Sequence, residues 1–80
     1  MAKVNVYVTF KHGILDPQGQ IAEKALRQLG YDNVEEVRIG KFIQMTVDPR
    51  KDIDEEVDEM CRRLLANPII EDFTFAVDEG

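Results

Sequence analysis

The order of strand-like and helix-like hydrophobic patterns constrains the fold of this chain more than any other feature. In residues 3–10 apolar and polar side chains alternate, which is the pattern of a β-strand with one buried face. Residues 34–39, 42–47 and 69–77 are also predicted to be strands. Gly40-Lys41 supplies a turn between the second and third strands, so these two are expected to form a hairpin.

Two amphipathic helices are predicted between these strands. The first begins at Asp16, which precedes a proline, and ends at Gly30. The second begins at Asp52, whose spacing to Glu55 resembles a capping box, and ends at Asn67-Pro68. Their apolar stripes comprise Ile21, Ala22, Ala25, Leu26 and Leu29 in the first helix and Ile53, Val57, Met60, Cys61 and Leu64 in the second.

The resulting order, β-α-β-β-α-β, predicts one α+β domain over residues 1–80. Because both helices need a sheet face to cover their stripes, we expect a two-layer, ferredoxin-like sandwich. It would have a four-stranded antiparallel sheet with both helices on one face. The other face would stay uncovered and carry Tyr7, together with either Phe42 or residues that flank the hairpin. Since the sheet edges also stay open, a homodimer or tetramer is expected.

Size and charge exclude several classes of protein. Eighty residues form one domain at most, and a core of that size barely stabilises itself. No apolar run is long enough to cross a membrane, and we expect no signal peptide. The net charge of −6 argues against binding to nucleic acid or to an anionic membrane. Residues 1–47 carry +1 and residues 48–80 carry −7, so a phosphate or an acidic partner is expected to contact the first half.

The inventory of reactive side chains predicts no independent active site. The chain has no serine, no Walker A motif, no GxGxxG motif and no paired-cysteine metal motif. The single cysteine, Cys61, falls on an apolar stripe and is expected to be a buried thiol, which fits a reducing cytoplasm. The single histidine, His12, is expected to be a solvated loop residue. The acidic start of the second helix is expected to be a solvated face that matches the helix dipole.

The connection between the first strand and the first helix, residues 11–19, allows two interpretations. Its glycines and charged residues suit a binding loop that ends at a helix N-terminus, with Lys11 nearby to attract an anion or a carboxylate. Alternatively it is a plain connection in which Ile14 and Leu15 tuck beneath the helix. A stand-alone regulatory domain that binds a small molecule also stays open at this point, because fold alone does not decide function.

Three segments spread over the chain match motifs of one known family. Residues 11–19, KHGILDPQG, resemble a KxGxxDPQG motif, and residues 37–41, VRIGK, are similar to a VRxGK segment. Residues 60–73, MCRRLLANPIIEDF, resemble MCxxLLANPxIEDF/Y almost letter for letter. These are motifs of the PurS family. The resemblance covers nearly the whole chain, and the length of the chain also fits this family.

The resemblance implies a function. PurS proteins belong to phosphoribosylformylglycinamidine (FGAM) synthase, which converts formylglycinamide ribonucleotide, ATP, glutamine and water into FGAM, ADP, phosphate and glutamate in purine synthesis. By resemblance, this chain is a non-catalytic subunit of that ligase. It would hold the glutaminase subunit PurQ and the large synthetase subunit PurL together, support ammonia transfer, and form an oligomer built on dimers. No cofactor is expected on this chain, whereas ATP and Mg are expected on the large subunit.

The matching motifs and their polar, irregular composition together predict where partners bind. The predicted contacts lie in the strand-to-helix loop, in the 38–41 turn and in the corner before the last strand. They are Lys11, Asp16, Gln18, Gly19, Arg38, Lys41, Asn67, Glu71 and Asp72. No catalytic or metal-binding residue is predicted in this chain.

Overall fold

The computed structural model describes residues 1–50 and 52–78, and this part of the chain forms three strands and two helices. The strands are β1 (Ala2–Phe10), β2 (Lys41–Val47) and β3 (Glu71–Asp78). The helices are α1 (Pro17–Gln28) and α2 (Ile53–Met60), and α2 continues into a π-helical turn, Cys61–Leu65. The described residues include no helix that is long and apolar enough to cross a membrane.

The sheet has the order β2-β1-β3, and β1 pairs antiparallel with both neighbours. The register places Val4 between Met45 and Val77, and the same alternation continues along the strands. Apolar side chains therefore share one face, as the pattern in residues 3–10 predicts. The core on this face comprises Ala2, Val4, Val6 and Val8, with Ile43, Met45, Val47, Phe73, Phe75 and Val77 packed around it.

Helix α2 covers this apolar face. Its Val57 and the following Cys61 are fully buried, which confirms the prediction of a core thiol. Burial, and secondarily the nearby Asp58 carboxylate, raise the pKa of Cys61. Asp52 caps the helix by accepting a hydrogen bond from the Asp54 N–H at 3.1 Å. The predicted reciprocal contact from Glu55 is absent among the described bonds.

The predicted four-stranded sheet is wrong, because residues 34–39 form no ladder in the described structure. Val34 and Val37 are three positions apart, so they cannot lie on one face of a regular strand. Glu36 has φ +44°, a left-handed conformation that interrupts an extended backbone. Gly40 does not form the predicted hairpin turn. Instead it packs so closely against β1 that a Cβ atom there would collide with the Val8 carbonyl oxygen.

The prediction that both helices lie on the sheet is also wrong. Helix α1 begins at its Asp16 cap as predicted, and Gly30, at φ +102°, follows its last turn. However, Ile21 and Leu29 are 70% and 74% exposed, and Gly19 is the only buried residue of α1. Helix α1 therefore lies off the sheet, and α2 alone forms the second layer. The chain is elongated, with extents of 50 × 27 × 14 Å.

The opposite face of the sheet carries polar side chains and one aromatic pair. Tyr7 and Phe42 lie opposite each other on β1 and β2 and stack with their ring centroids 5.0 Å apart. Both rings are about half exposed, which confirms that this face is uncovered in the single chain and carries these two residues.

Candidate partner-binding site

The predicted contact residues lie together at one end of the sheet. Because β1 is antiparallel to both neighbours, its last residues lie beside the first residues of β2 and β3. Val8 lies opposite Lys41, and Phe10 lies opposite Glu71. We call this region the polar end. It consists of residues 11–19, 37–41 and 67–72.

Asp16 joins the start of α1 to the segment that precedes β2. One carboxylate oxygen, Oδ1, accepts the Gly19 N–H at 2.9 Å, and the other, Oδ2, accepts the Ile39 N–H at 2.8 Å. The bond from Ile39, followed by the bond from Gly19, lowers the pKa of Asp16 below its ordinary value of 3.8. A Cβ atom at Gly19 would collide with the Val37 carbonyl oxygen. We call this arrangement the Asp16 clasp.

Because the folded protein lowers the pKa of Asp16, the clasp stabilises the fold most when the carboxylate is ionised. This stabilisation is present above pH 3.8 and is lost as the pH falls through the lower, folded pKa. We expect Asp16→Asn to lower the urea midpoint of unfolding at pH 7. The difference between the urea midpoints of the variant and the wild type should become smaller as the pH falls below 4. Urea titrations from pH 7 to pH 2 measure this difference in midpoint. A difference that stays constant over this range would contradict the role of the charge.

Lys11 connects the strand-to-helix loop to the corner before β3. Its Nζ lies 2.7 Å from Asp72 Oδ1, and its backbone N–H donates to the Ile70 carbonyl at 2.9 Å. Both side chains of the ion pair are substantially exposed, so the pair contributes little to stability. Within the corner, the Asn67 N–H donates to Glu71 Oε1 at 2.7 Å. These contacts order the backbone of the corner and leave its charged groups at the surface.

Arg38 and Lys41 attach the third segment of the polar end to its neighbours. The Arg38 guanidinium donates to the Phe10 carbonyl oxygen. The Lys41 ammonium donates to the carbonyl of Leu65, the last residue of the π-helical turn, at 3.2 Å. Both cations therefore donate hydrogen bonds to backbone oxygens. Neither forms one of the ion pairs found among the described residues.

Two cavities divide most of the predicted residues between them. A cavity of 180 Å³ is lined by one predicted contact residue from each segment of the polar end, namely Gln18, Lys41 and Glu71. A second, of 420 Å³, is lined by the remaining predicted residues of the first two segments, Lys11, Asp16, Gly19 and Arg38. Asp72 lines neither of these two, and Asn67 lines none of the described cavities.

The loop of residues 11–19 is not a plain connection with buried apolar residues. Ile14 and Leu15 are 38% and 63% exposed, so the interpretation that they tuck beneath α1 is wrong. Both line the 420 Å³ cavity instead. The sequence reasoning also missed Ile39, whose backbone N–H completes the Asp16 clasp. Nothing in its residue type signals that role, because any residue other than proline supplies this donor.

The polar end presents charged and polar side chains at the surface. Lys41 and Gln18 are exposed at the surface, and Glu71, which lines the same cavity, is partly exposed. His12 is exposed in the loop, as predicted. Among residues 1–50 and 52–78, no group of three or more His, Cys, Asp or Glu side chains could hold a metal ion. The arrangement is therefore suited to charge and hydrogen-bond contacts with another surface.

Comparison with known proteins decides the family. The model of the PurS family, described as phosphoribosylformylglycinamidine (FGAM) synthase, matches residues 3–79. The chain belongs to the PurS family. The PurS subunit of Bacillus subtilis is 46% identical over 80 residues, which cover 99% of this chain and 95% of that one. Methanocaldococcus jannaschii PurS is 40% identical over 81 residues, which cover 99% and 98% of the two chains.

Solved structures of PurS proteins share the fold of this chain. Bacillus subtilis PurS superposes with a TM-score of 0.92 at 46% identity and covers 99% of this chain and 100% of its own. A chain in the structure of PurLQS from Thermotoga maritima has a TM-score of 0.79 at 27% identity, with 95% of each chain covered. PurS proteins are subunits of FGAM synthase, a ligase of purine biosynthesis with the enzyme number EC 6.3.5.3. The family predicted from the three sequence motifs is thus confirmed.

Proposed function

We propose that this chain is a non-catalytic assembly subunit of an FGAM synthase. It bridges a glutaminase subunit, PurQ, and a large synthetase subunit, PurL, so that ammonia released from glutamine passes between them. The observation that carries the proposal is membership of the PurS family over residues 3–79. The relative from Thermotoga maritima, whose structure is described as PurLQS, supports the choice of these partners.

The polar end is the surface that we assign to these partners. Three chain segments meet there and share the 180 Å³ cavity, with their backbones held by the Asp16 clasp and by the Lys41 contact to Leu65. Such bracing limits the side-chain and loop ordering that association would otherwise require. In this proposal ATP and Mg bind to the large subunit, and this chain also pairs with copies of itself. The single, buried Cys61 suits a reducing cytoplasm.

Reconstitution from purified subunits tests the proposed function. With glutamine as the nitrogen source, we expect FGAM and ADP to form only when this chain is added to the glutaminase and the synthetase. With ammonium chloride as the source, the synthetase should form FGAM with or without this chain. The rate of ADP release measures both reactions. If glutamine-dependent synthesis runs equally fast without the chain, the assembly role is wrong.

The same preparation separates the proposal from a stand-alone regulatory domain. Isothermal titration calorimetry of the isolated chain with amino acids and nucleotides should give no heat of specific binding. Tight binding of one of these small molecules, together with no effect on the reconstituted synthase, would support the regulatory domain instead.

A further inference from the structure

The outer edge of β3 is open. β3 is the last strand in the order β2-β1-β3, so within residues 1–50 and 52–78 it pairs only with β1. Its eight residues, EDFTFAVD, include no proline and no lysine, and its register with β1 advances one residue at a time without a bulge. Proline, lysine and bulges are the features with which natural sheets protect their edges. A long, regular edge that lacks them is a template for pairing with another chain.

The register also shows which backbone groups of β3 point away from the sheet. The Lys11 N–H donates to the Ile70 carbonyl at 2.9 Å, so these residues form a hydrogen-bonded pair just beyond the ladder of β1 and β3. In an antiparallel ladder such pairs alternate with pairs whose N–H and C=O groups point outward. Counted from this pair, the outward groups of the strand interior belong to Phe73, Phe75 and Val77. No backbone bond of the described residues beyond the ladders uses them.

A cavity of 430 Å³ lies beside this edge. Its lining includes residues 71–75 of β3, together with Lys11, Asp58 and Arg62. No residue of β1 or β2 lines it, so it lies on the outer side of β3. The Arg62 guanidinium lies 5.5 Å from the centre of the Phe73 ring, so the helical segment packs against the start of the strand. An added peptide strand has space here for its side chains, which is how strand addition obtains specificity.

The charges along this edge favour a basic occupant. β3 carries no basic residue and three acidic ones, Glu71, Asp72 and Asp78. The two cations that line the cavity, Lys11 and Arg62, already form ion pairs with aspartates at 2.7 and 2.8 Å. Antiparallel pairing of two β3 edges about Phe75 would place Asp72 of one copy opposite Asp78 of the other, and like charges in these positions repel. Lysine or arginine side chains on an added strand are complementary to the same carboxylates.

We propose that an extended, basic segment of a partner subunit binds along the outer edge of β3 by strand addition. The choice of a synthase subunit as the partner rests on the proposed function. The outward N–H and C=O groups of Phe73, Phe75 and Val77 bond to the backbone of the added segment, and its basic side chains lie near the carboxylates of β3. Residues 67–72 of the polar end lead directly into β3, so this edge continues the surface already assigned to the partners.

Amide hydrogen exchange tests the strand pairing itself. The isotopically labelled chain is exchanged alone and together with the glutaminase and synthetase subunits, at the same concentration, and is then quenched and read residue by residue by NMR. Assembly should slow exchange of the Phe73, Phe75 and Val77 amides by about 10-fold, because each gains a hydrogen-bond acceptor. The Thr74 and Ala76 amides, which point toward β1, are the internal control and should slow less.

Two results of this experiment would overturn the proposal. If the three outward amides exchange equally fast in the chain alone and in the assembled synthase, no strand is added at this edge. If they are already protected in the chain alone, and more so at higher concentration, another copy of the chain covers the edge and the partner subunit is the wrong occupant.

Substitutions of opposite charge at one position of β3 test the chemistry of the occupant. Thr74 is exposed and lines the cavity beside the edge. Thr74→Lys should raise the dissociation constant for the partner subunits by about 10-fold, whereas Thr74→Glu should not weaken binding. Thr46→Lys is the matched control, because it makes the same change at an exposed position of β2 on the same face of the sheet, and it should bind like the wild type.

The outcomes separate this contact from the proposed function. Circular dichroism should show intact folding of all three variants, because both threonines are exposed. A Thr74→Lys variant that binds as tightly as the wild type, or a Thr74→Glu variant that binds more weakly than Thr74→Lys, would overturn the basic occupant. Glutamine-dependent synthesis by the wild-type synthase would then leave the assembly role standing, whereas a failure of the three subunits to associate would overturn both.

Discussion

Replacement of Gly19 by valine is expected to detach α1 from the polar end and to abolish glutamine-dependent FGAM synthesis. A Cβ atom at this position would collide with the Val37 carbonyl oxygen and lie 2.9 Å from Asp16 Oδ2. Relief requires the 37–41 segment to move away, which breaks the bond between Asp16 and the Ile39 N–H. We expect a loss of about 1–3 kcal/mol in the free energy of unfolding, as for other overpacked sites.

Two measurements on the Gly19 variant separate its effects. Urea unfolding gives the loss of stability, and the reconstituted synthase gives the activity with glutamine and with ammonium chloride. Gln20→Ala is the matched control, because it changes the next, exposed position of the same helix and should keep both properties. A Gly19→Val protein with the stability and glutamine-dependent activity of the wild type would show that the close approach to Val37 has no functional role.

The elements that were predicted correctly are those with a local sequence signal. The alternation in β1, the Asp16 and Asp52 caps and the left-handed Gly30 each depend on a few neighbouring residues. The strand predicted at residues 34–39 lacked such support, because Val34 and Val37 do not alternate. In the predicted hairpin this strand would pair along the outer edge of β2, but the described sheet ends at β2.

The position of α1 could not be predicted from the sequence. Its apolar stripe predicts an amphipathic helix, and the predicted bounds agree closely with the structure. The helical spacing of apolar residues does not identify the surface against which they pack. The Asp16 clasp, which joins the start of α1 to the segment before β2, depends on the Ile39 backbone, and that contact forms only in the folded chain. A stripe that another chain covers has the same pattern as one that its own sheet covers.

The predicted contact residues are brought together for a topological reason. Sequence motifs singled out three separate segments, and the antiparallel pairing of β1 with both neighbours places their ends side by side. The backbone acceptors that hold the cations, the carbonyls of Phe10 and Leu65, were not predictable because every residue carries such a group. That these residues contact PurQ or PurL stays a prediction.

Charge reversal at Lys41 is expected to reduce glutamine-dependent FGAM synthesis by about 10–100-fold and to leave ammonia-dependent synthesis unchanged. Lys41 is exposed, lines the cavity that all three segments share, and donates to the Leu65 carbonyl. Lys41→Glu removes this donor and places a carboxylate near Glu71, so the surface offered to a partner changes from mixed to acidic. Lys41 is itself exposed and occupies the first position of β2, so folding should persist.

Lys3→Glu is the matched control for this experiment, because it makes the same change of charge at the opposite end of the same sheet. Lys3 is exposed and lies between Thr46 and Asp78, far along β1 from the polar end. If the polar end binds the partner subunits, the Lys41 variant should lose glutamine-dependent rate and co-purification with PurQ and PurL, and the Lys3 variant should keep both. Equal losses in the two variants would show that net charge governs assembly, and the contact would then have to be sought elsewhere on the surface.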